Sequence, residues 1–390
     1  MKELNKLPDG FDSFAEGVKN KFISLKKLKD EGGKVVGTYC SYVPTELIYA
    51  AGAIPLSLCA TSEKPIKDAE KHLPSNLCPL IKASYGHAIT DTCPFFYYSD
   101  FIVGETTCDG KKKMFELMND IKHTYVMQLP QNNIKESSFL FFEEEVRALK
   151  DELEKFYNIK ITDEMLKQAI KQGNEERKNL IEFYELSSLN PSPISGLEQF
   201  NVTESFGFMY DRVKKNEDLK QKTKEIYKNW EENLKGKIDN RPRILLSGCP
   251  LGGVKEKIIK TIEDLGAVVV GFDSCSGLRN QMTLIDENEE PIKAIARKYL
   301  KTNCSVMSPN CGRLDDIDYL IDKYKADGVI EVILLACHTF NIESHNVAKF
   351  CKSKNTPYLH IESDYSMQDK GQILTRIEAF LELLKESKND

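Results

Sequence analysis

GGKVVGTYCSYVPTELIYAAGAIPLSLCATS, residues Gly32–Ser62, holds two short apolar runs with a helical pattern between them. Lys34–Tyr39 reads as a strand ending at Cys40. Pro44–Gly52 reads as a helix with proline in its first turn, and Ile54–Leu58 as a second strand ending at Cys59. Strand, helix and strand in that order form a βαβ unit, which favours parallel pairing and a right-handed crossover. Each strand runs out into a cysteine.

The arrangement returns at Ser99–Met118, SDFIVGETTCDGKKKMFELM. Phe101–Val103 is a short β-branched run, Gly104–Gly110 a polar turn carrying Cys108, and Met114, Phe115 and Met118 give a helix its apolar stripe. A thiol between a strand end and a helix N-terminus sits in positive partial charge, which favours its thiolate. Cys78 and Cys93 occupy the irregular segment before this strand, and Tyr125–Leu129, closed by Pro130, reads as a further strand.

Beyond Glu136 the character changes. The stretches around EEEVRALKDELEKFYN, ITDEMLKQAIKQGNEERKNLIEFYELSSL and DLKQKTKEIYKNWEENLK are charged and helix-periodic, with Thr162 as an expected N-cap. They contain no cysteine or histidine. This block reads as a cap, a docking surface, a scaffold or a dimer element.

From Arg243 the α/β pattern resumes. Arg243–Ser247 runs into GCPLGG with Cys249, and Ala267–Phe272 runs into DSCSG with Cys275. TNCSVMSPNCGR holds Cys304 and Cys311, and Gly328–Leu335 leads to Cys337. Helices are expected at Val254–Leu265, Pro291–Leu300, Leu314–Tyr324, Ile342–Cys351 and Thr375–Leu384, with a strand at Tyr358–Ile361. The expected fold is therefore α/β, with two doubly wound, Rossmann-like parallel-sheet domains facing across a cleft. The expected boundaries are residues 1–135, a helical insertion over 136–240, and residues 241–390. An amphipathic helix is also expected to open the chain over Phe11–Glu31.

Bulk properties narrow the function classes. The 390 residues suffice for two or three cores, and the formal net charge of −6 carries no basic footprint for nucleic acid. The lysine runs Lys26–Lys29 and Lys111–Lys113 read as solvated helix faces. MKELNKLPDGFDSF has no apolar signal-type core, and no segment is long and apolar enough to span a membrane, so a cytoplasmic location is expected.

Eleven cysteines in such a chain need a reason. All but Cys351 map to turns at strand ends or to irregular segments, and ligands bind parallel sheets outside the strands' carboxyl ends. Structural zinc is announced by CxxC pairs, and there are none. A single catalytic thiol with His338 as its base leaves the other cysteines unexplained. Iron–sulfur ligation needs several converging thiolates that can be distant in sequence, and it fits best. GCPLGG lacks the glycine spacing and the lysine of a phosphate loop and reads as a plain βα turn.

The stretches GTYCSYVPTELIYAAGAIP, NLCPLIKASYG, DFIVGETTCDGKKKM, VILLACHTFNIES and GQILTRIEAFLELL resemble the 2-hydroxyacyl-CoA dehydratase component D family, which includes benzoyl-CoA reductase subunits. With GCPLGG and CSVMSPN, the chain looks most similar to the double-cubane-cluster members. The resemblance implies Cys78, Cys108 and Cys337 as ligands of a 4Fe–4S cluster. For an 8Fe–9S double cubane it adds Cys275, Cys304 and either Cys249 or Cys40. It implies a separate ATP-hydrolysing 4Fe–4S activator as electron donor, a homodimer and a small-molecule substrate. In the dehydratases the implied chemistry is one-electron reduction of an acyl-CoA thioester, which lets the 2-hydroxyl group leave. Glu46 and His338 are the acid–base candidates, each with a plainer alternative: a first-turn carboxylate and an orienting or packing imidazole. Two other readings stay open, a single-cluster dehydratase subunit and a non-catalytic cluster carrier.

Overall fold

The computed structural model describes residues 16–386. Eight strands form two four-stranded, all-parallel sheets. The first contains β1 (Lys34–Thr38), β2 (Ala53–Ser57), β3 (Phe101–Glu105) and β4 (Thr124–Met127), in the order β2-β1-β3-β4. The second contains β5 (Arg243–Gly248), β6 (Val268–Asp273), β7 (Gly328–Leu334) and β8 (Tyr358–Ser363), in the order β6-β5-β7-β8. The α/β expectation with two Rossmann-like sheets is met, and the strand bounds agree to within two residues.

The apolar runs explain the order. β3, β5, β6 and β7 are buried at every residue, as parallel strands covered by helices on both faces must be. The edge strand β2 is more exposed and carries Pro55, whose missing N–H would break a ladder bond in a central strand. Gly104 of β3 accommodates the ring of Phe115, since a Cβ there would stand 2.5 Å from that ring. Met114, Phe115 and Met118 of the helix Asp109–Asn119 are fully buried, each contributing about 1.5–3 kcal/mol of apolar transfer.

The chain divides into two compact units. One takes the residues through Glu175 together with Gly207–Asp211 and Thr283–Thr302. The other takes Glu176–Phe206, Arg212–Met282 and Asn303 onward. Residues 136–240 are thus shared between the units, with the boundary inside the helix Asp163–Glu185. The packing explains the division. Leu180, Phe183, Leu186, Ile194, Phe206 and Leu219 form an apolar cluster within the second unit. The helix Pro291–Leu300 instead packs on Glu136–Tyr157 in the first, with Arg147 facing Glu290 at 3.5 Å and Arg297 facing Glu136 at 3.4 Å.

The opening helix spans Glu16–Asp30, and the expected residues 11–15 lie outside the described ones. Thr162 caps its helix as expected, accepting from the Met165 N–H at 3.3 Å. Among the described residues no helix is long and apolar enough to cross a membrane.

Candidate thiol sites at the strand ends

In each sheet the strand order reverses direction once, between β1 and β3 and between β5 and β7. Such switch points are where open parallel sheets bind ligands. Cys40 and Cys108 follow β1 and β3, while Cys249 and Cys337 follow β5 and β7. All eleven cysteines are thiols with no disulfide.

Three of these thiols share one local position. Cys78 is the N-cap of Pro79–Thr90, Cys108 of Asp109–Asn119 and Cys337 of His338–Ser353. In each, the cysteine stands at a helix's positive end. Cys93 also caps a helix, but a short one; its sulfur accepts from the Phe96 N–H at 3.4 Å and burial pushes its thiol up to about 11. Burial also pushes Cys351 up to about 11, inside the helix His338–Ser353, and Cys311 is exposed.

In the first unit a buried cation lies in the field of three thiols. Lys111 lies in the first turn of Asp109–Asn119 and is buried, whereas Lys112 and Lys113 are exposed. The solvated-face expectation therefore holds for two of the three lysines. Lys111 shares the buried stripe of Met114, Phe115 and Met118, because residues three, four and seven apart share a helix face. Burial alone would lower its pKa; Cys40, Cys59, Cys108 and Glu105 outweigh it and hold the ammonium well above its ordinary value. Cys40 itself sits in a left-handed turn at φ 69°.

Glu105 ends β3 with no exposed surface. Its Oε1 accepts from the N–H of Tyr42 at 2.6 Å and of Val43 at 3.2 Å. Burial pushes the carboxyl up to about 8, against the Lys111 ammonium and the two N–H donors, which pull it down. The native state then holds a proton that the unfolded chain releases above about pH 4.5, and this contribution to stability is lost as pH rises to about 8. Glu105→Gln should remove that slope, at about 1.4 kcal/mol per pH unit of window. Melting iron-free protein between pH 5 and 9 tests it: the wild-type advantage should shrink with rising pH, and parallel curves would refute the assignment.

In the second unit a buried ion network ends the strands. Asp273 of β6 accepts from Arg279 Nε at 2.9 Å, Arg313 Nε at 3.4 Å and Ser247 Oγ at 2.7 Å. Burial alone would raise its carboxyl, but the two guanidinium groups hold it at about 2. Arg313 also donates to Glu331 at 2.6 Å and to the Ser247 hydroxyl at 2.9 Å. Cys275 follows this strand, within 3.9 Å of Arg279 Nη1. Cys337 lies 3.9 Å from the Thr339 hydroxyl, which Ser305, the residue after Cys304, reaches at 3.0 Å. Cys249 is buried behind Gly248, whose φ of 116° and closeness to the Val332 carbonyl exclude a side chain.

Among the described residues no three His, Cys, Asp or Glu side chains form a single-ion site. A cubane sets a different test, because each thiolate binds a different iron. Its donors must be soft, and its negative charge must be offset where water is excluded. In the first unit Cys78 and Cys108 with the buried Lys111, and in the second Cys275 and Cys337 with the buried Arg279, each offer soft donors and a buried cation. Buried polar atoms without a partner flank the same thiols: Glu105 Oε2 and Thr107 Oγ1 near Cys108, and Ser274 Oγ next to Cys275. Sulfur acceptors of a bound cluster would satisfy the two hydroxyls. The residues fit the group.

Glu46 is buried in the first turn of the helix Thr45–Ala50, where Tyr299 donates to Oε2 at 2.7 Å. It is a first-turn carboxylate, as the plainer alternative has it, but a buried one. His338 is exposed at the first position of its helix, beside Cys337. Glu105, Asp273, Arg279 and Arg313 belong to these sites, yet no motif or spacing in the sequence singles them out. Of the buried charges, only Lys111 carries a local signal, its spacing to Met114 and Met118.

Residues 40–384 match the family described as 2-hydroxyglutaryl-CoA dehydratase, D-component. A protein of Escherichia coli (strain K12) named as a dehydratase subunit, YjiM, is 42% identical over 385 residues, 98% of this chain and 100% of that one. The (R)-phenyllactyl-CoA dehydratase beta subunit of Clostridium sporogenes is 27% identical, covering 96% of this chain and 98% of its own. A benzoyl-CoA reductase subunit of Thauera aromatica is 23% identical over 85% of this chain and 86% of its own.

Proposed function

The chain belongs to the 2-hydroxyglutaryl-CoA dehydratase D-component family, and from that premise we propose that it is an oxygen-sensitive iron–sulfur reductase of the double-cubane type. Its relatives are dehydratase and reductase subunits, so enzyme-family membership is secure. The observation that carries the reading is a surplus of thiols at strand ends, helix starts and turns. Cys78, Cys108 and Cys337 cap helices, and Cys275 and Cys304 stand near Arg279, with Cys249 or Cys40 as a sixth ligand. A single cubane needs fewer.

When bound, the cluster supplies single electrons at low potential to a small-molecule substrate. The chain's own residues bind and orient. The three helix-capping cysteines offer thiolates, Lys111 and Arg279 offset their charge, and Glu46, held by Tyr299, is placed to hold a proton, with His338 as the exposed alternative. The electron donor in this reading is an ATP-hydrolysing 4Fe–4S activator, and the working form is a cytoplasmic homodimer. The match to a phenyllactyl-CoA dehydratase subunit favours the second reading, a subunit with one 4Fe–4S cluster acting on a 2-hydroxyacyl-CoA.

Iron and sulfide counts on anaerobically purified protein separate the two. About eight irons per chain supports the double cubane and about four the single cluster. A chain that stays iron-free under strict anaerobiosis overturns both. Turnover with reductant, ATP and a cognate activator then separates catalysis from cluster carriage.

A further inference from the structure

Arg279 lies between the buried ion network and the thiols of the second unit. It is 4% exposed, and most of its donors are already engaged. Nε donates to Asp273 Oδ1 at 2.9 Å, while Nη2 donates to the Asp273 carbonyl at 2.8 Å and the Gly248 carbonyl at 3.3 Å. The guanidinium stands 5.2 Å from the centroid of the Phe340 ring. A planar fork fastened at these points has one arm remaining, and Nη1 lies 3.9 Å from Cys275 Sγ. Cys304 also lies within the field of this charge.

Counter-charge for Asp273 does not by itself account for this geometry. Arg313 already faces that carboxylate, and a lysine would satisfy one carboxylate oxygen. The fork meets a carboxylate, two carbonyls and a sulfur at once, which only a guanidinium can do.

We propose that Arg279 is a positioning residue for Cys275, donating its Nη1–H to the sulfur and fixing the direction of that thiolate. The proposal rests on the reading of Cys275 as an iron–sulfur ligand. A hydrogen bond and a buried positive charge at a ligand sulfur stabilise the more negative, reduced state of a bound cluster, so Arg279 raises its reduction potential.

The test uses the full chain purified anaerobically, as wild type, Arg279→Lys and Arg279→Gln. Iron per chain, the midpoint potential from an EPR-monitored titration and the melting temperature are measured on each. Arg279→Lys keeps a cation for Asp273 and loses the arm to sulfur; it should bind iron and titrate at a more negative potential than wild type. Arg279→Gln also loses the charge and should titrate lower still. Selective loss of iron from a folded Arg279→Lys chain supports the same role. If Arg279→Gln does not fold, Arg279→Lys decides alone. An iron-loaded Arg279→Lys chain with the wild-type potential overturns the proposal, since a purely structural role moves the melting temperature and leaves the potential in place. A wild-type chain that binds no iron overturns the cluster reading itself.

Discussion

Cys108→Ser is expected to lose most of the iron that the wild-type chain binds, whereas Cys351→Ala keeps it. Both positions are thiols in the same chain, and their surroundings oppose each other. Cys108 stands at the N-terminus of the helix Asp109–Asn119, is half-buried, and is followed in the first turn by the buried Lys111 ammonium. Serine at that position offers a hard hydroxyl that stays protonated and binds iron poorly beside sulfide. Cys351 is fully buried within a helix, and burial pushes it up to about 11, so it behaves as a small apolar side chain. Alanine keeps that character at the cost of a small cavity. Iron and sulfide assays on both variants, prepared side by side without oxygen, are the measurement. Equal iron in the two would mean that the strand-end thiols do not hold the cluster.

Arg313→Met should destabilise the protein by about 3–5 kcal/mol, the usual cost of leaving buried charge unpaired. Arg313 is 1% exposed and bridges Asp273, Glu331 and Glu343; the first two carboxylates are fully buried. Asp273 would keep Arg279, but Glu331 would lose its guanidinium and keep the Tyr358 hydroxyl. Denaturant midpoints against wild type give the number, and a change near zero would mean that the network relaxes or takes up a proton. Lys260→Met, which removes an exposed pair with Asp264, is the control and should leave the midpoint in place. The Asp273 contribution is full above the ordinary carboxylate pKa of about 4 and is lost as pH falls to about 2, so the wild-type advantage should persist through mildly acid buffers.

Much of the fold is legible residue by residue. Runs such as RILLSG and GVIEVIL are apolar almost throughout and too short for helices, and helix periodicity begins after the turns that follow them. Those two signals place the strands and the cysteines that follow them, with Cys108 between a strand end and a helix start. The helix starts at Cys78 and Cys337 are not legible, because the pattern leaves Cys78 in an irregular segment and begins the later helix at Ile342. The partition of the helices was not legible. The pattern of Pro291–Leu300 states that one face is buried but not against what, and the partner proved to be Glu136–Tyr157 in the first unit.

By itself, then, the sequence determined the two parallel sheets, their order of elements and the cysteines that end their strands, because periodicity is a local property. The tertiary structure alone decided which charges are buried beside those thiols. Arg313 meets Ser247 across 66 residues of sequence and Asp273 across 40. Desolvation depends on everything packed around a group, and no window of sequence contains that. The same physics separates Lys111 from its neighbours Lys112 and Lys113: three identical side chains in a row, of which the fold removes one from water and sets it against sulfur.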